Sequence, residues 1–235
     1  QEAVKKLRTQ GHYFSFCTGR NIQETKIITP YFEYDYLVLN NGAMIVDQQD
    51  QVLYRKQIKN EIAKEILNES MRKYPYLNYT FFDGKQTYGF INEKTCKLTK
   101  EGYQEIEGDF LDILNNTIED IDIVCAFHPE EKLDEIKEIQ QQINQKYTGI
   151  HATLNVVYLD ITVDCTKGTG LQKLCSLFKE DVTSYCIGDS FNDLDMFKKA
   201  NHAYTFNHVE KEIKEKTKNQ VDYVYEVIDA MLEGE

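Results

Sequence analysis

The sequence predicts an α/β protein with a doubly wound, mostly parallel core sheet and an inserted α+β domain. Apolar strands alternate with amphipathic helices towards both ends of the chain. The segments "HYFSFC" and "DYLVLN" are apolar on both faces, as in parallel sheets covered by helices. The middle third carries hairpin signals instead. We therefore place the core at residues 1–57 and 156–235, and an inserted cap at 58–155.

The length and charge of the chain limit its class. Its 235 residues suit a core that carries a smaller insertion, and the net charge of −12 argues against a nucleic acid or an anionic membrane as partner. The six cysteines form no CxxC pair, which argues against a zinc knuckle or a thioredoxin motif. Several lie within apolar runs, and we expect reduced thiols. No apolar run reaches the roughly 18 residues that cross a bilayer, and no signal peptide precedes the first helix. We expect a cytoplasmic protein, whose oligomeric state the sequence does not indicate.

The first third reads as helix, strand, helix, strand. "QEAVKKLRTQG" is a helix that ends at Gly11, with Ala3, Val4 and Leu7 on one face. "HYFSFCTGR" is a strand followed by a turn, and "DYLVLNNGA" is a second strand that ends in a polar turn. This order favours an open α/β sheet.

The middle third has a different pattern. "KNEIAKEILNESMRKYP" is an amphipathic helix that Pro75 stops, and "LNYTFFDGKQTYGFI" is a hairpin around an Asp-Gly turn. The strand "IDIVCAFHP" and the helix "EEKLDEIKEIQQQINQKYTG" follow. The alternating aromatic residues of the hairpin fit a core better than a ligand site; they are Tyr79, Phe81, Phe82 and Tyr88.

The last third resumes the α/β pattern. "HATLNVVYLDITVD" is interpreted as the return to the core, and "TKGTGLQKLCSLF" as a turn with a helix. "VTSYCIGD" is a strand, "NDLDMFKKA" a helix, "HAYTFN" a short strand and "VDYVYEVIDAML" a closing helix.

Polar residues follow three of the predicted strands. Thr18 ends the first strand, Asn41 the second and Asp189 a later one. Because open parallel sheets bind ligands at the carboxyl ends of their strands, all three should open onto one crevice. The carboxylates around Asp189 suit a hard cation such as Mg²⁺. The alternative is that Ser190, Asn192 and Asp193 only cap a helix.

The stretch "TKGTG" adds a cation to this edge. Lys167 lies at the start of a helix, where the helix dipole disfavours a positive charge, and Gly168 and Gly170 would let backbone amides approach an anion. The stretch is not a P-loop, and a solvated lysine is the alternative. A hydroxyl, a lysine and a metal site together suit a phosphate ligand.

These motifs, in this order, resemble the haloacid dehalogenase superfamily, in its Cof-type (subclass IIB) sugar-phosphate phosphatases with a large α/β cap. "FSFCTGR", "TKGTGLQKL" and "IGDSFNDLDMF" are similar to the second, third and fourth family motifs, and "LNNGA" to the Asn-Gly-Ala turn of the subgroup. The resemblance implies a Mg²⁺-dependent phosphatase that acts on a small phosphorylated metabolite through an aspartyl-phosphate intermediate.

The resemblance also implies roles for individual residues. Thr18, Lys167 and Asp193 would be catalytic. The implied metal residues are Asp189, Asn192 and Asp193. The implied substrate-binding residues are Thr18, Gly19, Arg20, Asn41, Gly42, Lys167, Asn192 and Asn207.

The family's first motif, Asp-x-Asp-Gly-Thr, has no match in the sequence. In the family it supplies the nucleophile and follows the first strand of the core. A strand, a loop and a helix start amount to about 15–20 residues, which we expect to lie before Gln1 in the natural protein. The rival hypothesis is a non-catalytic, phospholigand-binding or regulatory protein on the same fold. A flavodoxin-like or nucleotide-binding module would need a glycine-rich first loop, which is not seen.

Overall fold

The structure is a computed structural model that describes residues 1–234. The chain divides into two compact units. The first unit contains residues 1–19, 28–55 and 165–235, and the second contains residues 20–27 and 56–164. Each unit has its own sheets and its own apolar clusters.

Helices and strands follow one another along the whole chain. Up to residue 116 they are α1 (Glu2–Thr9), β1 (Ser15–Cys17), α2 (Ile22–Ile28), β2 (Tyr36–Leu39), β3 (Met44–Asp47), β4 (Val52–Arg55), α3 (Asn60–Lys73), β5 (Asn78–Phe82), β6 (Thr87–Ile91), β7 (Lys94–Thr99), β8 (Gly102–Glu105) and α4 (Phe110–Asn116). Beyond it they are β9 (Ile123–Phe127), α5 (Asp134–Lys146), β10 (Ile150–Asn155), β11 (Tyr158–Val163), α6 (Lys167–Cys175), β12 (Tyr185–Gly188), α7 (Leu194–Lys199), β13 (His202–Phe206), α8 (Lys211–Lys214), β14 (Asn219–Val221) and α9 (Val224–Glu233).

The first unit holds two sheets. One has the order β1-β2-β3-β4, in which β1 and β2 are parallel and the other neighbours are antiparallel. The other has the order β12-β13-β14 and is parallel throughout. Among the described residues, β1 and β12 are therefore edge strands that pair on one side only. Helix α6 packs against β1, β2 and β3, and α7 packs against β12 and β13.

The second unit holds a single seven-stranded sheet of order β10-β11-β9-β5-β6-β7-β8. Every neighbouring pair is antiparallel, including the predicted hairpin of β5 and β6. Helices α3, α4 and α5 contribute apolar side chains to one cluster with this sheet. Tyr79, Phe81 and Phe82 are buried, and Tyr88 packs against Phe81 with 5.4 Å between ring centroids. The hairpin aromatics thus form core, as their alternation indicates.

The units differ from the bounds expected from sequence at two places. The segment interpreted as the return to the core is the hairpin of β10 and β11, and β11 also pairs with β9. The second unit therefore extends to residue 164 rather than 155. Residues 20–27 also belong to this unit, because Asn21 donates to Thr87 and Gln23 bonds the backbone of Thr87 and Leu98.

The sequence analysis did not identify the antiparallel strands β3 and β4 or the short strand β14. The turn between β3 and β4 places Asp50 at a φ of 64°, while the Asp47 carboxylate accepts the amides of Gln49 and Gln51. All six cysteines are free thiols, as predicted. Over residues 1–234, no helix combines the length and the apolar character needed to cross a bilayer.

Candidate active site

The turn after β2 lies beside the end of β1. Thr18 donates its backbone amide to Val38, and its carbonyl accepts the amide of Asn41 at 3.1 Å. The turn needs an unusual backbone, because Asn40, Asn41 and Gly42 have φ values of 51°, 50° and 97°. Asparagine and glycine tolerate this left-handed region better than other residues. Thr18 and Asn41, predicted to share an edge, are therefore joined directly.

Lys167 is the buried cation of the first unit's cluster. It is the first residue of α6, and its Nζ lies 2.7 Å from Oδ1 of Asp193. The side chains of Lys167 and Asp193 are only 10% and 3% exposed. A buried ammonium is costly unless it is paired, and the helix dipole adds to that cost at this position. The Asp193 carboxylate offsets both effects, so Lys167 is not a solvated surface lysine.

Asp193 also shapes the loop after β12. Its Oδ2 accepts the backbone amides of Asp189 and Ser190, each at 3.0 Å. A Cβ atom at Gly188 would lie 2.5 Å from the Asp193 carboxyl carbon, so only glycine fits there. Ser190 and Asp193 form the reciprocal hydrogen bonds of a capping box. Asp193 thus caps this turn through the Ser190 amide and also pairs with Lys167, whereas the Asn192 side chain bonds Asn41 instead.

Asn192 connects the two sheets of the first unit. Its Nδ2 donates to Oδ1 of Asn41 at 3.3 Å, although 151 residues separate them. Oδ1 of Asn192 and both polar side-chain atoms of Asn40 are buried without a protein partner in residues 1–234. Buried polar groups normally find a partner. Unpaired amide atoms at this edge therefore suit a site that receives a polar ligand or water.

The glycines of "TKGTG" pack closely against other parts of the first unit. A Cβ atom at Gly168 would lie 2.5 Å from the carbonyl oxygen of Asp195, and one at Gly170 would lie 2.5 Å from Cα of Gly42. A Cβ atom at Gly42 would in turn overlap the Thr166 carbonyl. These glycines let α6 pack closely against α7 and the turn after β2. Their need for glycine follows from packing, so it gives no support to close approach by an anion.

Several predicted site residues lie outside the bonded network. Asp189 contributes its amide, but its side chain belongs to an exposed residue. Asn207 is exposed after β13, and its Nδ2 donates to Asp222 at 2.8 Å. Gly19 is buried after Thr18, and Arg20 is exposed and belongs to the second unit. Among the predicted site residues, direct side-chain or backbone contacts join Thr18, Asn41 and Asn192 in one group and Lys167, Asp193 and the Asp189 amide in another.

Two thiols lie close to this network but are not suited to nucleophilic attack. Sγ of Cys17 is 3.8 Å from the carbonyl oxygen of Lys167. Burial raises the pKa of Cys17 to about 12, against the opposing effect of the Lys167 charge. Burial likewise raises the pKa of Cys186 to about 12. Both are neutral thiols near pH 7, and the thiolate is the nucleophilic form.

Some of the residues predicted to bind a metal have side-chain oxygens that could hold a magnesium ion. Mg²⁺ is usually held by one or two carboxylates with several waters. Asp189 offers an exposed carboxylate, and Asn192 offers its unpaired Oδ1. Asp193 differs, because its two oxygens already hold Lys167 and two backbone amides. No three His, Cys, Asp or Glu side chains of residues 1–234 are grouped to hold a metal by themselves.

Two further residues, Thr166 and Asp195, hold this region together and were not predicted as site residues from the sequence. The Thr166 hydroxyl donates to Oδ2 of Asp195, which Lys199 also contacts at 2.8 Å. Burial acts to raise the pKa of Asp195, but hydrogen bonds from Lys199 and Thr166 outweigh it and lower that pKa overall. The only sequence signal was the threonine before Lys167, which is a favoured helix N-cap.

Known proteins resemble the chain along most of its length. An uncharacterized protein of Mycoplasma capricolum is 26% identical over 228 residues, which cover 89% of this chain and 83% of the relative. A 5-amino-6-(5-phospho-D-ribitylamino)uracil phosphatase of Bacillus subtilis is 24% identical, over 100% of this chain and 91% of its own.

Solved structures show the same fold. A haloacid dehalogenase-like hydrolase from B. subtilis superposes with a TM-score of 0.78 at 15% identity, over 98% of this chain and 90% of its own. A subclass IIB sugar phosphatase superposes with a TM-score of 0.73 at 18% identity, over 99% and 89% of the two chains. The family model for haloacid dehalogenase-like hydrolases matches residues 1–231. The chain therefore belongs to the haloacid dehalogenase-like hydrolase family, in its Cof-type phosphatase group.

Proposed function

We propose that this protein hydrolyses small phosphate monoesters of the sugar-phosphate type with the help of Mg²⁺. One observation carries the proposal. Hydrogen bonds join Thr18 to Asn41 and Asn41 to Asn192, and an ion pair joins Lys167 to Asp193. Asn192 and Asp193 are consecutive, so the two groups meet near the carboxyl ends of β1, β2 and β12. A hydroxyl, amides and a buried ammonium together are suited to the oxygens of a phosphoryl group.

Each residue of the network has a role in phosphoryl transfer. The Thr18 hydroxyl donates a hydrogen bond to a phosphoryl oxygen, and the Lys167 ammonium balances the charge between the attacking carboxylate and the phosphate. Asp193 holds that ammonium in place, and Asn192 with Asn41 orients the loop that faces the phosphate. Mg²⁺, held through Asp189 and waters, would reduce the negative charge of the phosphoryl oxygens. None of these groups is itself the nucleophile.

We assign the nucleophile to an aspartate on a further strand, outside residues 1–235, that pairs between β1 and β12. Support comes from the sheets, because β1 and β12 each pair on one side only among the described residues. The carboxylate oxygen would form a bond to phosphorus while the bond to the leaving alcohol breaks. Water then hydrolyses the acyl phosphate and releases inorganic phosphate.

The substrate class rests on relatives, not on a ligand. One relative is named as a phosphatase of a phosphorylated ribitylamino-uracil, and another, from Klebsiella pneumoniae, as an HMP-PP phosphatase. Both names describe small phosphorylated metabolites. The second candidate function is a protein that binds a phospholigand without hydrolysing it. Residues 1–235 contain no Asp-x-Asp-Gly-Thr motif, and this function would hold if the natural protein has none elsewhere.

The test uses the protein at its full natural length, with p-nitrophenyl phosphate and a set of sugar phosphates. We expect phosphate release with Mg²⁺ and its loss with EDTA. Asp189→Ala should abolish release and leave the fold intact by circular dichroism. Asp181→Ala, at an exposed aspartate ahead of β12, is the matched control and should retain full activity.

Two results would contradict the proposal. Unchanged activity of Asp189→Ala at saturating Mg²⁺ would remove Asp189 from the metal site. Tight binding of inorganic phosphate by calorimetry, without turnover of any ester, would favour the phospholigand-binding function instead.

A further inference from the structure

Three consecutive residues at the start of α6, Thr166 to Gly168, contact Asp193 or Asp195 at the start of α7. The Thr166 hydroxyl donates to the Asp195 carboxylate. Lys167 pairs with Asp193. Gly168 lies against the Asp195 backbone so closely that a Cβ atom would be 2.5 Å from its carbonyl oxygen. The start of α6 is thus held in register with the segment that bears Asp193.

We propose that Asp195 is a positioning residue for Lys167 and acts through Thr166. The inference rests on the proposed function, because it assigns Lys167 to the phosphate. Asp195 holds the residue that precedes Lys167 and packs against the residue that follows it. The backbone of Lys167 is therefore fixed on both sides, and its ammonium is presented to Asp193 in one place.

The hydrogen-bond pattern at Thr166 supports this role. The Thr166 Oγ1 accepts the amide of Thr169 at 3.0 Å, so its hydroxyl proton remains for donation to Asp195. Lys199, at 2.8 Å, fixes the carboxylate that receives it. A negative charge beside the first turn of α6 is also favourable with the helix dipole. Loss of the carboxylate would leave the Thr166 hydroxyl and the start of α6 free to shift.

Asp109 shows what an ordinary helix cap looks like in the same chain. Its carboxylate accepts the amides of Leu111 and Asp112 within its own helix, at 2.8 and 3.1 Å. Asp195 instead reaches a threonine 29 positions away in sequence. Asp109→Asn is therefore a control for the loss of a carboxylate charge at a helix terminus.

The test follows the Lys167 ammonium directly, by ¹⁵N NMR of lysine side chains. The buried pair with Asp193 should give a slowly exchanging ammonium signal, assigned by its loss in Lys167→Met. Asp195→Ala and Thr166→Val should broaden or shift that signal and speed its proton exchange about tenfold or more. Thr166→Ser, which keeps the hydroxyl, should restore it, and Asp109→Asn should leave it unchanged.

Kinetics on the full-length protein provide a second measurement. Misplacement by about 1 Å costs up to 10²-fold in rate, so kcat of Asp195→Ala should fall about 10- to 100-fold while KM changes little. Absence of turnover in the wild-type protein would refute the proposed function, yet the NMR comparison would still decide the role of Asp195. An unchanged Lys167 signal in both Asp195→Ala and Thr166→Val overturns the inference. If Asp195→Ala does not fold, the Lys167 signals of Thr166→Val and Thr166→Ser are compared, and that comparison decides whether the inference holds.

Discussion

The buried asparagines of the two units differ in whether their side chains have hydrogen-bond partners. In the second unit, Asn60 donates to the carbonyls of Thr117 and Glu119, and Oδ1 of Asn78 accepts the amide of Asn92. In the first unit, both polar side-chain atoms of Asn40 are buried without a protein partner in residues 1–234. The second unit's asparagines complete its own turns. The first unit keeps polar atoms unpaired at the strand ends where a ligand would bind.

The sheets show the same contrast. The second unit has a single seven-stranded sheet over a continuous apolar cluster. The first unit has sheets of four and three strands, with β1 and β12 at their edges among the described residues. Buried polar atoms without a hydrogen-bond partner in residues 1–234 also occur in the second unit, at Tyr74 Oη and Glu135 Oε2, but those of the first unit are amide atoms that follow β2 and β12. We therefore expect core substitutions in the second unit to affect stability, and polar substitutions in the first to affect function.

The largest expected effect is at the centre of the second unit. Phe81 is fully buried and contacts Phe110 and Tyr88, with ring centroids 5.5 and 5.4 Å away. Phe81→Ala should lower the free energy of unfolding by about 3–5 kcal/mol, measured by urea denaturation. Ile118→Ala, at a side chain that is 88% exposed, is the control and should change it by less than about 0.5 kcal/mol. Equal losses for the two variants would contradict the assigned core.

The next prediction compares a buried lysine of the first unit with an exposed lysine of the second. Lys167→Met in the first unit removes the buried ammonium and should reduce kcat about 10²- to 10³-fold. Lys85→Met in the second unit removes an exposed lysine that pairs with Glu119, and phosphate release should be unchanged. Steady-state kinetics on the full-length protein compares them. Full activity of Lys167→Met would remove Lys167 from the site.

A smaller effect compares the buried asparagines themselves. Asn60→Ala removes the side-chain donor of the Glu119 carbonyl, while the Thr117 carbonyl keeps the Lys64 ammonium, and should cost about 1–3 kcal/mol of unfolding free energy. Asn40→Gly keeps the positive φ of 51° and removes only unpaired atoms, so it should cost less than about 1 kcal/mol. Chemical denaturation of both variants checks this. A larger loss for Asn40→Gly would show that its amide is bonded, for example through water.

Local patterns predicted most elements, and the misassignments arise where partners are distant. The Asp-Gly turn indicated the hairpin of β5 and β6, and both strands are present. The alternation in β11, by contrast, suits a strand of either sheet. Its pairing with β9, some 35 residues earlier, places β11 in the sheet of the second unit; Asp160, for example, lies opposite Cys125. Periodicity reports which face is buried, but it does not identify the neighbouring strand.

At the site, too, local patterns were informative and contacts between distant residues were not predicted. Strand ends indicated which polar residues would meet, and Thr18 bonds Asn41, Asn41 bonds Asn192, and Lys167 pairs with Asp193. The packing of the glycines was not predicted because their close neighbours are remote in sequence: Asp195 for Gly168, and Gly42 for Gly170. A glycine marks a close approach, but the sequence does not tell whether a ligand or the protein backbone approaches.

The smallest effect concerns pH, and the two units should respond with opposite sign. In the second unit, burial raises the pKa of Glu24 above its ordinary 4.5, with the Asp160 charge adding to the rise and the Asn21 amide and Arg20 opposing it. Its folded pKa therefore exceeds its unfolded pKa, so the neutral acid favours folding and stability falls as pH rises through the folded pKa. In the first unit the pKa of Asp195 is lowered. Stability from Asp195 is present above 3.8 and is lost as pH falls through its folded pKa.

Variants that cannot titrate isolate each contribution. Glu24→Gln should match the wild type below pH 4.5 and become more stable above it, by about 1.4 kcal/mol for each pH unit between the folded and unfolded pKa values. Asp195→Asn should instead lose stability at neutral pH and approach the wild type in acid. Urea denaturation from pH 3 to 8 measures both. Glu24→Gln would contradict the assignment if it were destabilising at neutral pH, because the ionised carboxylate would then favour the folded state.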